Sequence, residues 1–92
     1  MGFAVNRWQN TQAPAEIWVG PGLTREHYAE IFIRDQPVVP VLIRETEKEH
    51  QWRCAGNFRL RDHTGENSEK NRRVKPFDVP AIYKILFLEE VH

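Results

Sequence analysis

The sequence predicts a β-dominated α+β fold: a small, strongly bent mixed sheet or partly open β-barrel of about five strands with one short helix. Three stretches predict it. Residues 52–61, WRCAGNFRLR, place Trp52, Cys54, Gly56, Phe58 and Leu60 on one face and Arg53, Ala55, Asn57, Arg59 and Arg61 on the other. That is the period of a strand with one face toward a core. Residues 81–91 are apolar at both parities (Ile82, Tyr83, Ile85, Leu86, Phe87, Leu88), as in a central strand covered on two sides. Only residues 24–36 carry a helical stripe, with Tyr28, Ile31 and Phe32 at i, i+3 and i+4.

The remaining elements follow in chain order. Phe3 to Trp8 alternates and suits a short strand near an edge, and Asn10 to Pro14 is a loop. Ala15 to Val19 forms a second strand, closed by Gly20-Pro21-Gly22, where Gly20 or Gly22 is expected to take a positive φ. Thr24 is the expected N-cap of the helix, with Glu26 in its first turn, Leu23 packing on Tyr28 from outside, and Pro37 ending it. Val38 to Arg44 is nearly all apolar and reads as a strand covered on both faces. Glu45 to His50 is charged and lacks an Asn-Gly pair, so it joins Val38–Arg44 to the next strand by a loop of several residues. Asp62 to Lys75 is the most polar stretch and reads as an exposed, mobile loop, and Pro76 to Pro80 as a constrained bend. The helix is too short to stand alone and is expected to plug one end of the barrel.

Length and composition bound the rest. Ninety-two residues with 40% apolar content and ten aromatic side chains form one domain, residues 1–92, with one modest core. The one cysteine rules out an internal disulfide framework and a four-cysteine zinc site. No signal-peptide pattern opens the chain and no apolar run is long enough to span a bilayer, so a soluble cytoplasmic protein is expected. Formal net charge is zero, but residues 1–50 hold five Lys/Arg against seven Asp/Glu, while residues 51–75 hold seven against three. A basic middle of this kind suits an anionic partner.

Chemistry-bearing motifs are few. His27, His50, His63, His92 and Cys54 are the candidate ligands or nucleophiles beyond carboxylates. His50 and Cys54 stand four apart, but strand alternation places Cys54 inward as a buried, inert thiol. His50, Asn57 and His63 are too closely spaced for an HNH nuclease motif, and no acid lies two residues before Lys48. The sequence contains no Gly-rich phosphate loop, G-x-S-x-G elbow or H-E-x-x-H, and neither a catalytic residue, a metal site nor a cofactor is assigned. What remains is a set of aromatic and basic residues. Arg53, Arg59 and Arg61 share one strand face, Lys70, Arg72, Arg73 and Lys75 follow in the polar stretch, and Trp8 and Trp18 lie beside loops. Aromatic rings stack bases and arginines bond phosphates or guanine edges, so Arg53, Arg59, Arg61, Arg72, Arg73, Trp8 and Trp18 form the candidate nucleic-acid contact set. Trp52 is assigned to the core.

Residues 39–61, VPVLIRETEKEHQWRCAGNFRLR, resemble a strand pair of the PUA-like and SRA-like reader domains, including those attached to restriction endonucleases. Val41, Ile43, Arg44, Trp52, Gly56 and Phe58 occupy the matching places, and FAVNRWQNTQ followed by AEIWVGP is similar to the opening of EVE-type members. The resemblance implies a β-barrel-like fold and nucleic-acid binding, with sensitivity to modified bases; as partner, DNA is expected ahead of RNA. A second class fits the composition: a small protein-interaction module, such as an inhibitor or adaptor encoded by a mobile element, or a subunit or homodimer. In that reading a partner covers the apolar surface of Val38–Ile43 and the final strand.

Overall fold

The computed structural model describes residues 2–77 and 81–92. The strands are β1 (Phe3–Asn6), β2 (Glu16–Val19), β3 (Val39–Arg44), β4 (Arg53–Thr64) and β5 (Lys84–Glu90), with helix α1 (Leu23–Asp35) between β2 and β3 and helix α2 (Asn67–Phe77) between β4 and β5. They form one mixed sheet in the order β1-β3-β4-β5-β2, curled nearly into a barrel. β1 runs parallel to β3, and every other pairing is antiparallel. No helix among the described residues is long and apolar enough to cross a membrane.

The hairpin β3–β4 is joined by a connection of several residues, as its lack of turn residues requires. β4 is the longest strand and carries two bulges. Val41 stands opposite Gly56 but Leu42 opposite Cys54, so Ala55 is an extra residue on β4; farther on, Leu60 pairs Leu88 and Asp62 pairs Phe87, leaving Arg61 as the second. Between the bulges the expected parity holds: Phe58 and Leu60 are buried, while Asn57, Arg59 and Arg61 are exposed. Before the first bulge it inverts, because one inserted residue sends each side chain to the opposite face. Cys54 therefore lies exposed beside Leu42, and Trp52 is 41% exposed, where the uninterrupted alternation placed both inside. Gly56 makes the bulge feasible. Its φ is +130°, and a Cβ there would lie 2.9 Å from Glu90 Oε2.

Two clusters hold the fold together. The larger fills the barrel with Val5, Ile17, Val19, Val39, Val41, Ile43, Phe58, Leu60, Leu86 and Leu88, and α1 adds Ala29 and Phe32. The edge of Phe3 meets Phe32 at 5.0 Å and Tyr28 at 6.2 Å. The smaller cluster lies on the opposite face of β5, where Trp18, Ile82 and Ile85 pack with Val74 of α2 and Phe87. β5 is thus central and apolar on both faces, as expected. β3 is buried on one face only: Pro40 is exposed and Leu42 half-buried.

Helix α1 is capped two residues before the expected Thr24. Gly22, at φ +136°, is its N-cap, and its backbone N–H donates to the Glu26 carboxylate at 2.8 Å. Leu23, expected to pack on Tyr28, is 90% exposed. The larger departure is α2, which occupies the stretch read as a mobile loop. It buries little apolar surface, and ion pairs dock it: Glu69 bonds Arg72 and Arg73 along the helix, and Arg73 reaches Glu16 on β2. Such pairing leaves no apolar stripe for periodicity to detect. Pro76 and Phe77 continue this helix, and the rest of the expected bend lies outside the described residues.

The bulge makes the parity of β4 testable. Phe58→Ala is expected to cost about 3–5 kcal/mol in denaturant unfolding, as a large-to-small change in the barrel core. Arg59→Ala, on a surface ion pair with Glu89, is expected to cost under about 1 kcal/mol. Gly56→Ala is expected to cost about 1–3 kcal/mol although it adds only a methyl group, since φ is positive and the space is taken; a neutral Gly56→Ala would show that the bulge does not require glycine.

Candidate nucleic-acid interface

The structure separates the expected contact residues into groups rather than one basic face. At the end of the barrel where β3 meets the 45–52 connection, Arg44 leaves the sheet on the outer face. It follows inward-facing Ile43 and pairs in register with Asn6. Its Nε donates to Asn6 Oδ1 at 3.2 Å, and its guanidinium lies 5.1 Å from the Trp8 ring centroid and 4.9 Å from that of Trp52. The first β4 bulge brings Trp52 to this face, and β1 brings Trp8 by ending beside Arg44, where the Arg7 N–H donates to the Arg44 carbonyl at 2.9 Å. Each cation–π contact contributes about 0.5–1 kcal/mol at an exposed site, enough to orient all three side chains.

Arg7 and Arg53, each next in sequence to a stacked tryptophan but on the Ile43 side of the sheet by register, share one carboxylate: Glu45 accepts from Arg53 at 2.9 Å and lies 3.6 Å from Arg7. Arg44 and Lys48 form no ion pair among the described residues. Beside Trp52 an open hollow of about 580 Å³ is walled by Glu45, Glu49, His50, Gln51 and Arg53. This end of the sheet thus carries a half-exposed indole with a cation stacked on it on one side and two arginines sharing Glu45 on the other.

The other expected residues lie elsewhere. Arg61 is eight positions along β4 from Arg53, roughly 25 Å at strand spacing, and its guanidinium sits 5.5 Å over the Phe87 ring. Arg59 is paired with Glu89 at 2.6 Å, and Arg72 with Glu69 at 3.0 Å. Arg73 is mostly buried; it donates to Glu16 at 2.8 Å and to Glu69, and it covers Phe87 at 5.7 Å. Trp18 is 5% exposed and belongs to the core beneath α2, its indole N–H donating to Glu16 at 3.1 Å. Burial removes Trp18 from the residues able to stack on a partner, and Arg73 serves as a structural link. Three bases of the basic middle, Arg53, Arg59 and Arg73, are therefore matched by acids from other segments: Glu45, Glu89 and Glu16.

Sequence reading missed Trp52 and Arg7 as surface contributors and met Arg44 only through the family resemblance. One signal for Trp52 was present. Glycine inside a strand pattern marks a bulge, and Gly56 lies four residues after Trp52. Among the described residues no group of three His, Cys, Asp or Glu side chains converges as metal ligands would. No protein-family model matches the chain, and neither a curated protein nor a solved structure is significantly similar to it.

The Glu16–Arg73 link predicts an acid response. Partial burial pushes the Glu16 carboxyl up, but hydrogen bonds from Arg73 and the Trp18 indole, with the Arg73 charge, outweigh it and hold the group below its ordinary 4.5. A carboxyl lowered in the folded state contributes stability above the unfolded value, which is lost as pH falls through the folded one. Glu16→Gln is therefore expected to lower stability at neutral pH and to flatten its fall below pH 4.5. Arg73→Ala, which removes charged hydrogen bonds, is expected to cost about 2 kcal/mol. Denaturant melts between pH 3 and 7 read both.

Proposed function

We propose that the protein is a non-catalytic nucleic-acid-binding domain whose contact region is the Trp8–Arg44–Trp52 stack together with Arg7 and Arg53 at the same end of the sheet. The observation that carries this reading is the Arg44 guanidinium, which forms no ion pair among the described residues and is held between two indoles, one of them 41% exposed. The free face of Trp52 offers an unpaired base a stacking platform worth about 1–3 kcal/mol. Arg44, Arg53 and Lys48 supply phosphate contacts, and a phosphate that approaches Arg53 replaces the Glu45 carboxylate there. Stacking requires an unpaired or extruded base, so single-stranded DNA, or duplex DNA with a displaced base, is the expected ligand, and a modified base is read in the hollow beside Trp52. Arg61, over Phe87 at the far end of β4, extends the contact along a longer strand.

Anisotropy titrations against single-stranded, duplex and modified DNA and against RNA, repeated over a range of salt, test the reading. Trp52→Ala is expected to weaken binding by about 5- to 150-fold, the equivalent of one stacked base, and to leave the melting midpoint within a few degrees. Arg53→Ala is expected to make the salt dependence shallower by about 0.7–0.9 in log–log slope, one phosphate contact. Absence of binding to all of these ligands at low salt removes the proposal.

A further inference from the structure

The sheet stays open between its edge strands β1 and β2, and the opening is one strand wide. At one end the connection from β1 to β2 closes it, and Asn10 in that connection ties the two strands together. Its backbone N–H donates to the Asn6 carbonyl at 2.9 Å. Its side-chain carbonyl accepts from the Trp18 backbone N–H at 2.6 Å, and its amide nitrogen lies 3.5 Å from the Trp18 carbonyl. The first bond closes the turn that ends β1 and the others run through the side chain, so Asn10 holds the Trp18 edge about one residue's width away from Asn6. Neighbouring strands lie about 4.7–4.9 Å apart, so β1 and β2 are separated there by roughly two such spacings. Past Asn10 no backbone hydrogen bond among the described residues joins β1 to β2, and a groove of about 630 Å³ opens between them toward the start of α1.

Both walls of this groove present peptide groups. The Arg7 N–H bonds β3, so by alternation the N–H and carbonyl of Ala4 turn away from β3 into the gap. The Val19 carbonyl bonds Tyr83, so the N–H of Gly20, on the opposite side of that trans peptide, turns away from β5. Val5, Ile17, Val19 and Ala29 line the groove, all buried and apolar, and Arg25 lines it at the α1 end. Among the described residues Arg25 forms no ion pair and makes only a 3.4 Å bond to the Pro21 carbonyl.

We infer that this seam is a docking site for one extended peptide segment of a partner protein, which enters as a sixth strand with apolar side chains at alternate positions and an acidic side chain at the Arg25 end. Asn10 defines the width, the two edges supply the main-chain hydrogen bonds that give strand addition its affinity, and the apolar lining with Arg25 supplies the choice of sequence. The site is distinct from the tryptophan face and does not depend on nucleic-acid binding there.

The test uses the whole chain and capped hexapeptides of alternating valine and threonine, with glutamate or lysine at either end, followed by amide NMR and hydrogen exchange. A glutamate peptide is expected to shift the Ala4 and Gly20 amides and to slow their exchange by about tenfold or more. Its lysine counterpart is expected to bind about tenfold more weakly, and Arg25→Glu to reverse that preference. Ala4→Pro removes the edge N–H at an exposed position and is expected to abolish protection at Gly20. Unshifted Ala4 and Gly20 amides at millimolar peptide, a charge preference that survives Arg25→Glu, or protection of these amides by an oligothymidylate instead of a peptide would each overturn the inference.

Discussion

The fold depends on β4 serving two partners at once. It pairs with β3 along one edge and with β5 along the other, and a strand of twelve residues cannot curl around a small core without local relief. The two bulges provide it, one where Gly56 adopts a φ closed to other residues, the other at Arg61. Bulges increase twist and bend the strand that bears them. The sheet therefore curves far enough for β1 and β2, its two edges, to face each other across a narrow gap. The same device turns Trp52 outward. Curvature of the barrel and exposure of the candidate contact face thus have one cause.

Charge placement supplies the second level of organisation. Acids and bases concentrated in different parts of the sequence meet in the fold: Glu16 of β2 with Arg73 of α2, Glu89 of β5 with Arg59 of β4, and Glu30 of α1 with Lys84 of β5. Exposed pairs contribute little each. The Glu16–Arg73–Glu69 group differs because Arg73 is largely screened from water and its carboxylate partner also receives the Trp18 indole N–H. It pins a polar helix over the second apolar cluster and so covers the outer face of β5, which the sequence left in want of a partner.

Five strands, their order along the chain and the central place of β5 were legible because apolar alternation and Gly-Pro breakers are local signals. Three things were not. α2 was invisible because Val74 is its one apolar side chain known to pack inward, while its docking runs through Arg73 and a residue 57 positions earlier. The outward turn of Cys54 and Trp52 depends on a one-residue insertion that a strict period of two cannot register, although Gly56 marked the place. The candidate face was half legible. Trp8 and Arg53 were chosen for it, but Arg44 joins them only through the parallel pairing of β1 with β3, a contact no local pattern encodes.

That parallel pairing also orders events in time. Phe3 meets Val41 and Ile17 meets Leu86, so the two edge strands close loops of 38 and 69 residues, whereas β3 and β4 are joined by a short connection. Loop closure carries an entropic cost before any contact offsets it, and chains dominated by distant pairings fold slowly. On a ribosome the β3–β4 hairpin can form once its own residues emerge, and β1 can join it. β2 has no partner until β5, made after every other strand, leaves the exit tunnel. During that interval Ile17, Trp18 and Val19 stand unpaired in the nascent chain. The protein is therefore most exposed to misassociation at its second strand, until β5 emerges to cover it.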